Sequence, residues 1–318
     1  MRILHTSDWH LGRYLNKTKK RYDEFAAFLN WTAETIETNG VDVLIVAGDV
    51  FDNTTPTHRA QELYYDFLTR VLVRSKTCRH AVIVGGNHDS PSFLEAPAKL
   101  LSNLGASVIG AMFPGQPEKE LIALRDEKGR LELIVCAVPF LRESDLRLAE
   151  FGEDEGVRHR KIVLGLSDHY QTLYALAQDL IAKNGQPVPV IATGHLFLQG
   201  SVSSNDDGVR EIHAGPLSAL PLSALPKFDY LALGHLHSPQ MVGKDPTVRY
   251  SGSPIPMGFN EAARPKSVCL IDFNGPEPEI SALEVPTFQP LKTLTGDLSF
   301  LIGQIKALSG TSAWLEIV

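Results

Sequence analysis

The stretch VDVLIVAGDVFD, residues 41–52, carries a largely apolar run into a glycine and an acidic residue. A short run such as 41–47 is typical of a buried strand. The aspartate beyond its end, Asp49, would be costly to bury unless it faced a cation or a polar partner. Because a carboxylate has two oxygens, Asp49 could also bridge two cations. The stretch therefore predicts a strand that delivers a metal ligand at its C-terminal end.

Four other polar motifs follow strand-like apolar runs in the same way. Open α/β sheets place their active sites beyond the C-terminal ends of their strands, so we expect the motifs to meet. Together with residues 48–52 they predict a two-metal hydrolytic centre. The four motifs are Asp8-Trp9-His10, Gly86-Asn87-His88-Asp89, Gly194-His195 and Gly234-His235-Leu236-His237.

The first and third motifs along the chain offer oxygen and nitrogen ligands. Asp8 and His10 are two residues apart, so a regular strand would turn both side chains to one side. The amide oxygen of Asn87 would bind a cation without adding negative charge beside an anionic substrate. Each has an alternative when taken alone, because Asp8 and His10 could form a strand-end turn and Asn87 is also a common turn residue.

The last two motifs supply three histidines, His195, His235 and His237. A single histidine is more often a structural residue than a ligand. Three histidines at strand ends, two of them two residues apart, favour metal binding instead. The remaining histidines lack this context and are expected to be structural or at the surface; they are His5, His58, His80, His159, His169 and His213.

Alternating apolar runs and amphipathic segments predict an α/β fold. Helical spacing indicates helices over 22–39, 60–74, 94–104 and 164–184. After about residue 105 the pattern changes to short strands with turns, which favours a mixed-sheet sandwich flanked by helices over a simple doubly wound sheet. The short strands are predicted at 121–124, 131–139, 248–250 and 268–273.

The pattern of predicted helices and strands changes after residue 285. We expect one domain over 1–285 and the start of a second unit over 286–318, with a helix near 298–308 and a strand at 313–318. About 30 residues cannot enclose a core of their own. This part is therefore expected to be only the beginning of a second unit, as in an artificially shortened chain.

Composition limits the classes of function. The 318 residues carry a net charge of −7, so DNA binding would need a local basic patch or bound cations. No apolar stretch approaches the roughly 18 residues that span a bilayer. Three cysteines without a C-x-x-C spacing, and a first motif that leaves no room for a signal peptide, predict a cytoplasmic location.

One basic stretch, residues 13–22, lies beside the first motif and carries two tyrosines that could stack on bases. A solvated loop and helix start would explain it equally well. A second run, 158–161, is expected to be a solvated face. The DNA contacts predicted in the first stretch are Arg13, Tyr14, Lys17, Lys19, Lys20 and Arg21.

In this order, the motifs D-x-H, G-D-x-x-D, G-N-H-D, G-H and G-H-x-H resemble those of the calcineurin-like metallophosphoesterases. The resemblance implies that Asp49 bridges two divalent metal ions. It implies that one ion is held by Asp8, His10, Asp49 and His237, and the other by Asp49, Asn87, His195 and His235.

Within that superfamily the sequence of about residues 1–285 is similar to the SbcD-type family of DNA repair nuclease subunits. The similarity includes the motif YSGSPIP at residues 250–256. The similarity implies a Mn²⁺-dependent phosphodiesterase, with Mg²⁺ as the alternative, acting as a double-strand exonuclease and a single-strand or hairpin endonuclease. It further implies DNA ends and hairpins as substrates and an SbcC-type ATPase partner. It also implies a C-terminal capping domain, of which residues 286–318 would be the beginning. A homodimer bridged by helices is also implied, with 60–74 and 94–104 as the segments to test.

Two cations roughly 3.5 to 4 Å apart could activate a hydroxide for in-line attack on phosphate. No G-x-S-x-G or C-x5-R nucleophile loop is present. His88 is then expected to protonate the leaving oxygen, and Asp52 to orient His88 and raise its pKa. Asp52 could instead cap a turn, and Asp89 is expected to be structural, as a cap of the segment from Ser90.

Two rival functions remain open from the sequence. A phosphomonoesterase or cyclic-nucleotide phosphodiesterase of the same superfamily would use the same metals on a smaller substrate. A metal-free interaction scaffold would keep the fold, but it should have lost ligands, and all seven candidate positions together with His88 are present.

Overall fold

Two six-stranded mixed sheets form the centre of the molecule. The computed structural model describes residues 1–75, 77–202, 220–274 and 277–318, so His213 lies outside the described residues. The first sheet has the strand order β12-β11-β1-β2-β3-β4. Its strands are β1 Arg2–Thr6, β2 Val43–Ala47, β3 His80–Val84, β4 Ala106–Ile109, β11 Ser267–Asp272 and β12 Glu279–Glu284.

The second sheet has the order β5-β6-β7-β8-β10-β9. Strands β6, β7, β8 and β10 run parallel, and β5 and β9 are antiparallel to their neighbours. The strands are β5 Leu121–Arg125, β6 Leu131–Cys136, β7 Val190–His195, β8 Tyr230–Gly234, β9 Gln240–Val242 and β10 Asp245–Tyr250.

Helices cover the outer faces of both sheets. The α-helices of the described residues are α1 Tyr22–Asn39, α2 His58–Thr69, α3 Pro91–Glu95, α4 Ala98–Ser102, α5 Glu143–Leu146, α6 Glu155–Asn184 and α7 Leu298–Ala307, of which α1 and α2 cover the first sheet and α6 the second. One apolar core lies under α1 and α2, a second under α6, and a third between the sheets. The third core joins residues such as Val43 and Ile45 to Leu133 and Ile191. The predicted sandwich flanked by helices is thus confirmed.

The helix boundaries differ from the prediction where local chemistry intervenes. α1 has the predicted bounds and ends at Gly40, whose φ of 61° gives a left-handed cap. The predicted helix 94–104 is two short helices, separated at Pro97. α6 begins nine residues before the predicted start because Asp154 caps it by accepting a hydrogen bond from the Val157 N–H. The sequence patterns do not predict strands β4, β9 and β12.

The C-terminal residues form a small parallel pair of strands, β13 Leu291–Leu294 and β14 Trp314–Ile317, joined by α7. α7 begins at Asp297, which accepts a hydrogen bond from the Phe300 N–H. Its residues Leu298 and Phe300 are exposed. The division of the chain at residue 285 stays a prediction. No helix among the residues described here has the length and apolarity to cross a membrane.

Candidate metal centre

The polar motifs meet at one edge of the sandwich because β1, β2 and β3 are parallel to one another, as are β7 and β8. Their following loops are joined by backbone hydrogen bonds, from the Asp8 N–H to the Gly48 carbonyl and from the His10 N–H to the Asp49 carbonyl, both 3.0 Å. The convergence of Asp8 and His10 does not come from a regular strand, because β1 ends at Thr6 and both residues have positive φ angles.

The first cluster consists of Asp8, His10, Asp49 and His237. His10 Nε2 lies 3.2 Å from His237 Nε2 and 3.5 Å from Asp49 Oδ2. Ligand atoms of Asp8, His10 and His237 all lie within 4.8 Å of one another. Four donors from three separate loops therefore surround one small volume.

The second cluster consists of Asp49, Asn87, His195 and His235. Asn87 Oδ1 lies 3.0 Å from His195 Nε2 and 3.1 Å from His235 Nδ1. His195 Nε2 lies 3.3 Å from Asp49 Oδ2, the same oxygen that faces His10. Asp49 is thus the residue that the two clusters share.

These spacings fit cation binding. With metal–ligand bonds of about 2.1 Å, neighbouring ligand atoms around one ion lie about 3.0 to 3.4 Å apart. The five distances of the two clusters run from 3.0 to 3.5 Å. Asp8, His10, Asp49, His195 and His237 are also buried, which suits ligands better than surface groups. The residues present therefore fit two divalent cations sharing the Asp49 carboxylate.

Opposite charges attract Asp49 and His195 to each other. Burial is the largest influence and acts against the charged form of Asp49, but the hydrogen bond and attraction of His195 together with the attraction of His10 and His88 keep the pKa of Asp49 well below its usual range. Burial likewise opposes the charged form of His195, but Asp49 raises its pKa to about 9. Burial lowers the pKa of His235 to about 3, which leaves a neutral imidazole. A neutral imidazole and an ionised carboxylate are the forms that bind metals.

Several candidate ligands have a second partner on their outer side. His195 Nδ1 donates to the Ala47 carbonyl at 2.9 Å. His237 Nδ1 lies 3.3 Å from a carboxylate oxygen of Glu261. The sequence motifs do not predict Glu261. It lies in a short 3₁₀ turn, 24 residues from His237 in sequence, and follows no strand.

His88 is held beside the first cluster. Its ring lies 4.8 Å from the ring of His10. Its backbone N–H donates a hydrogen bond to Asp49 Oδ1 at 2.8 Å. Its Nδ1 donates to the backbone carbonyl of Asp52 at 2.9 Å. The Asp52 carboxylate lies instead 3.5 Å from His10 Nδ1 and 3.2 Å from an Arg13 guanidinium nitrogen. The expected carboxylate–His88 pair is therefore replaced by a carbonyl–His88 pair.

Asp89 has a structural position, but not as the predicted cap. Its carboxylate accepts hydrogen bonds from the N–H groups of Val50, Phe51 and Gly86, which joins the loops after β2 and β3. Ser90 caps α3 by accepting from the Phe93 N–H. Burial, followed by repulsion from Asp49, raises the pKa of Asp89 to about 6.

The residues of the basic stretch after β1 differ in how exposed their side chains are. Lys17, Lys19 and Lys20 are exposed, and Arg13 and Tyr14 are half-buried, with Arg13 at the site itself. Arg21 is different, because its side chain is buried and its Nε donates to Glu24 at 2.7 Å. The prediction of Arg21 as a DNA contact is therefore wrong.

The second basic run, 158–161, is largely neutralised by carboxylates. Arg158 pairs with Glu143 and Glu155, and Lys161 pairs with Glu150 and Glu153. A partly exposed, charge-paired face agrees with the expectation of a solvated helix surface.

Two overlapping clusters of candidate metal ligands at one edge of a helix-flanked sandwich are the arrangement expected of a metallophosphoesterase. The family model described as calcineurin-like phosphoesterase matches residues 1–239. Over 322 residues, covering all of this chain and 77% of the relative, the sequence is 38% identical to the D subunit of nuclease SbcCD from Escherichia coli K12. The chain belongs to the SbcD family of calcineurin-like phosphoesterases.

A second relative, the D subunit of nuclease SbcCD from Bacillus subtilis, is 34% identical over 275 residues, which cover 86% of this chain and 66% of the relative. A dimetal phosphatase from Danio rerio gives a TM-score of 0.48 at 12% identity, covering 90% of this chain and 97% of that structure. Family membership makes the chain a metal-dependent phosphoester hydrolase, and the scaffold alternative is set aside.

Proposed function

We propose that the chain is a DNA nuclease that hydrolyses phosphodiester bonds as a double-strand exonuclease and a single-strand or hairpin endonuclease, in DNA end processing and repair. The observation that carries the proposal is the pair of donor clusters sharing Asp49, at spacings that fit two cations. The relatives named as nuclease subunits at 34–38% identity support DNA as the substrate.

The ligands are assigned to the two clusters as the sequence resemblance implies. Asp8, His10, Asp49 and His237 would hold one cation, and Asp49, Asn87, His195 and His235 the other. When bound, such a pair supplies water activation and neutralises phosphate charge. The protein's own contribution is a rigid and largely buried donor set, in which Asp8 accepts from the His235 N–H at 2.9 Å and Asp49 accepts from the His88 N–H.

His88 is the proposed acid. Because its Nδ1 donates to the Asp52 carbonyl, Nε2 is the nitrogen left to hold a proton towards the substrate. A protonated Nε2 would donate to the leaving oxygen of the cleaved strand. Asp52 contributes in two ways: its carbonyl fixes the His88 ring, and its carboxylate lies between His10 and Arg13.

Mn²⁺ is the proposed metal, with Mg²⁺ as the weaker candidate. Carboxylate and amide oxygens suit Mg²⁺, Ca²⁺ and Mn²⁺, whereas imidazoles suit softer ions. Each cluster combines two imidazoles with oxygen donors. A mixed set of this kind favours Mn²⁺ over Mg²⁺, which keeps more of its water.

The proposed partners follow from the relatives, which are named as one subunit of the nuclease SbcCD. We propose an SbcC-type ATPase partner, a homodimer, and a capping role for the unit that starts at residue 286. DNA would be met by Arg13 and by the exposed Lys17, Lys19 and Lys20. The three cysteines are free and buried, which agrees with the predicted cytoplasmic location.

The proposal is tested by cleavage of end-labelled duplex, single-stranded and hairpin DNA in the presence of Mn²⁺, with p-nitrophenyl phosphate assayed in parallel. The variant is His88→Ala. The matched control is His80→Ala, because His80 is half-exposed at the opposite end of β3 and contacts the Arg125 carbonyl.

We expect Mn²⁺-dependent DNA cleavage that falls by about 10²- to 10⁴-fold in His88→Ala and is retained in His80→Ala. Rapid turnover of the monoester with intact DNA would contradict the nuclease and favour a phosphomonoesterase. Equal activity in His88→Ala and the unmodified chain would remove His88 from the chemistry.

A further inference from the structure

Residues 251–266, between β10 and β11, contact the outer side of the first cluster at two places. The family model ends at residue 239, so this segment lies outside the part of the chain that it matches. Within this segment and its first flanking residue, the sequence analysis singles out only the motif YSGSPIP at residues 250–256. Any role of the segment at the metal centre rests on the proposed two-cation function of Asp49 and its neighbours.

The first contact is made by Glu261. One of its carboxylate oxygens lies 3.3 Å from His237 Nδ1, while His237 Nε2 faces His10. An imidazole that donates from Nδ1 presents its Nε2 lone pair to a metal, and the carboxylate makes that lone pair more basic. Glu261 thus selects the form of His237 that can bind a cation.

Glu261 is itself held rigidly. Its second carboxylate oxygen accepts from Lys266 Nζ at 2.6 Å and from the Met257 N–H at 3.0 Å. Lys266 also donates to Ser253 Oγ at 2.9 Å and to the His237 carbonyl at 3.0 Å. Glu261 is fully buried and Lys266 nearly so. A buried carboxylate stays charged only when it is compensated, and Lys266 supplies that charge.

The second contact is made by Ser251. Its Oγ lies 2.8 Å from Ser7 Oγ, and Ser7 in turn donates to Asp8 Oδ2. All three residues are buried. The segment therefore reaches two donors of the first cluster, Asp8 and His237, from one side of the site.

The second cluster has a different outer environment. In the described ranges, His195 Nδ1 donates to the uncharged Ala47 carbonyl, and His235 Nδ1 faces Asn87 within the cluster. The first cluster has carboxylates behind two of its imidazoles, Glu261 behind His237 and Asp52 beside His10. Carboxylate partners raise ligand basicity more than a carbonyl does.

We propose that Glu261, held by Lys266, is a positioning residue that fixes His237 as a ligand, and that residues 251–266 make the first cluster the tighter of the two cation positions. The segment acts mainly on the first position, since its contacts among the described residues lead to Asp8 and His237, although Asp8 also accepts from the His235 N–H of the second cluster.

The test compares Mn²⁺ binding to the unmodified chain, Glu261→Gln and Glu120→Gln by isothermal titration and by electron paramagnetic resonance. His237 and Lys266 face different carboxylate oxygens of Glu261. In Glu261→Gln one of these oxygens becomes an NH2 group, so one of the two partners meets a donor instead of an acceptor. Glu120 is the matched control, because it is equally buried and pairs with His169 at 2.8 Å without contacting either cluster.

We expect Glu261→Gln to weaken one of two Mn²⁺ equivalents by about 10- to 100-fold, the usual cost of losing such a partner. The spectrum of the coupled ion pair should then give way to that of an isolated ion. Glu120→Gln should retain both equivalents. Unchanged binding of both equivalents in Glu261→Gln, or the same loss in Glu120→Gln, would overturn the proposal.

Ser251→Ala is the second variant, since Glu261→Gln could fail to fold, which circular dichroism would show. Weakening of one equivalent in Ser251→Ala supports the role of the segment, and unchanged binding in a folded Ser251→Ala overturns it. Two bound ions without DNA cleavage would contradict the nuclease alone. Fewer than two ions in the unmodified chain would contradict the two-cation centre together with this inference.

Discussion

Four non-glycine residues of the site have positive φ angles: 52° at Asp8, 47° at His10, 52° at Asp49 and 98° at His235. Aspartate and histidine tolerate this region better than β-branched residues, yet such conformations cost on the order of 1 to 3 kcal/mol each. Hydrogen bonds such as Asp8 N–H to the Gly48 carbonyl hold them in place. The strain is concentrated where the donors must turn towards one point.

Gly86 shows how closely two of these loops approach. A methyl group at Gly86 would lie 2.1 Å from Asp49 Oδ1 and 2.3 Å from the Asp49 nitrogen. We expect Gly86→Ala to displace Asp49, to destabilise the fold by about 1 to 3 kcal/mol and to abolish two-ion binding. Urea unfolding and Mn²⁺ titration measure both effects.

Gly303 in α7 is the matched control, because nothing lies within 4 Å of its added methyl group. Gly303→Ala should stabilise the chain by up to about 1 kcal/mol and leave Mn²⁺ binding intact. Normal Mn²⁺ binding by Gly86→Ala would show that the two loops are not held as closely as the structure indicates.

The basic stretch gives a second comparison at the residue scale. Replacing Lys17, Lys19 and Lys20 together by alanine should weaken DNA binding and reduce the slope of log K against log salt by up to about 3, since each duplex phosphate contact contributes about 0.9. Arg21→Gln should instead lower stability by about 1 to 3 kcal/mol and leave the slope unchanged, because Arg21 is buried against Glu24. A changed slope in Arg21→Gln would restore it as a DNA contact.

The sequence predicts the candidate metal ligands better than the residues that hold those ligands in place. The seven candidate ligands stand next to strand ends, which is a local signal, and the structure brings them together. Glu261 has no such signal, because a turn far along the chain brings it to His237. The sequence pairs the Asp52 carboxylate with His88, whereas in the structure this carboxylate lies beside His10. Spacing along the chain does not say which way a loop side chain points.

At the scale of elements, continuous apolar runs predicted the central strands well because β2 and β3 are covered on both faces and carry no polar alternation. The edge strands β9 and β12 were missed, since their exposed faces remove that signal. Pro97 and Asp154 moved helix boundaries through local chemistry that averaged periodicity does not detect. The order of strands within each sheet comes from packing between distant segments and could not be read from the chain.

The junction of α5 and α6 makes a pH-dependent prediction. Arg158, against a smaller opposing effect of burial, and Arg147 lower the pKa of Glu143 to about 2. A folded-state pKa below the ordinary value of 4.5 gives stability that is fully present above 4.5 and is lost as the pH falls towards 2.

We therefore expect Glu143→Gln to be less stable than the unmodified chain at neutral pH by about 1 kcal/mol, a small value because the group is partly exposed. The difference in unfolding free energy should shrink between pH 4.5 and pH 2 and vanish below, as urea unfolding across this range would show. A constant difference over that range would mean that the Glu143 ion pairs do not stabilise the fold.

At the scale of the whole molecule, the proposed centre joins the two sheets. Asp8, Asp49 and Asn87 follow strands of the first sheet, and His195 and His235 belong to or follow strands of the second. A cation held by both sets binds only the folded chain, so its removal should weaken the association of the sheets.

We expect chelation by EDTA to lower the melting temperature relative to excess Mn²⁺. Free metal at 100 times its Kd stabilises the fold by about 2.7 kcal/mol per site, which corresponds to roughly 4 °C per site for a chain of 318 residues. Differential scanning fluorimetry measures the shift, and Asp49→Asn, which lacks the shared carboxylate charge, should respond little. An equal response in both proteins would place the stabilising ion elsewhere.

The most direct test of the two-cation centre is diffraction from crystals grown with Mn²⁺, recorded at the manganese absorption edge. We expect two anomalous peaks roughly 3.5 to 4 Å apart, with Asp49 between them. One peak should be bounded by Asp8, His10 and His237, and the other by Asn87, His195 and His235. A single peak, or peaks away from Asp49, would contradict the shared carboxylate on which the proposed nuclease depends.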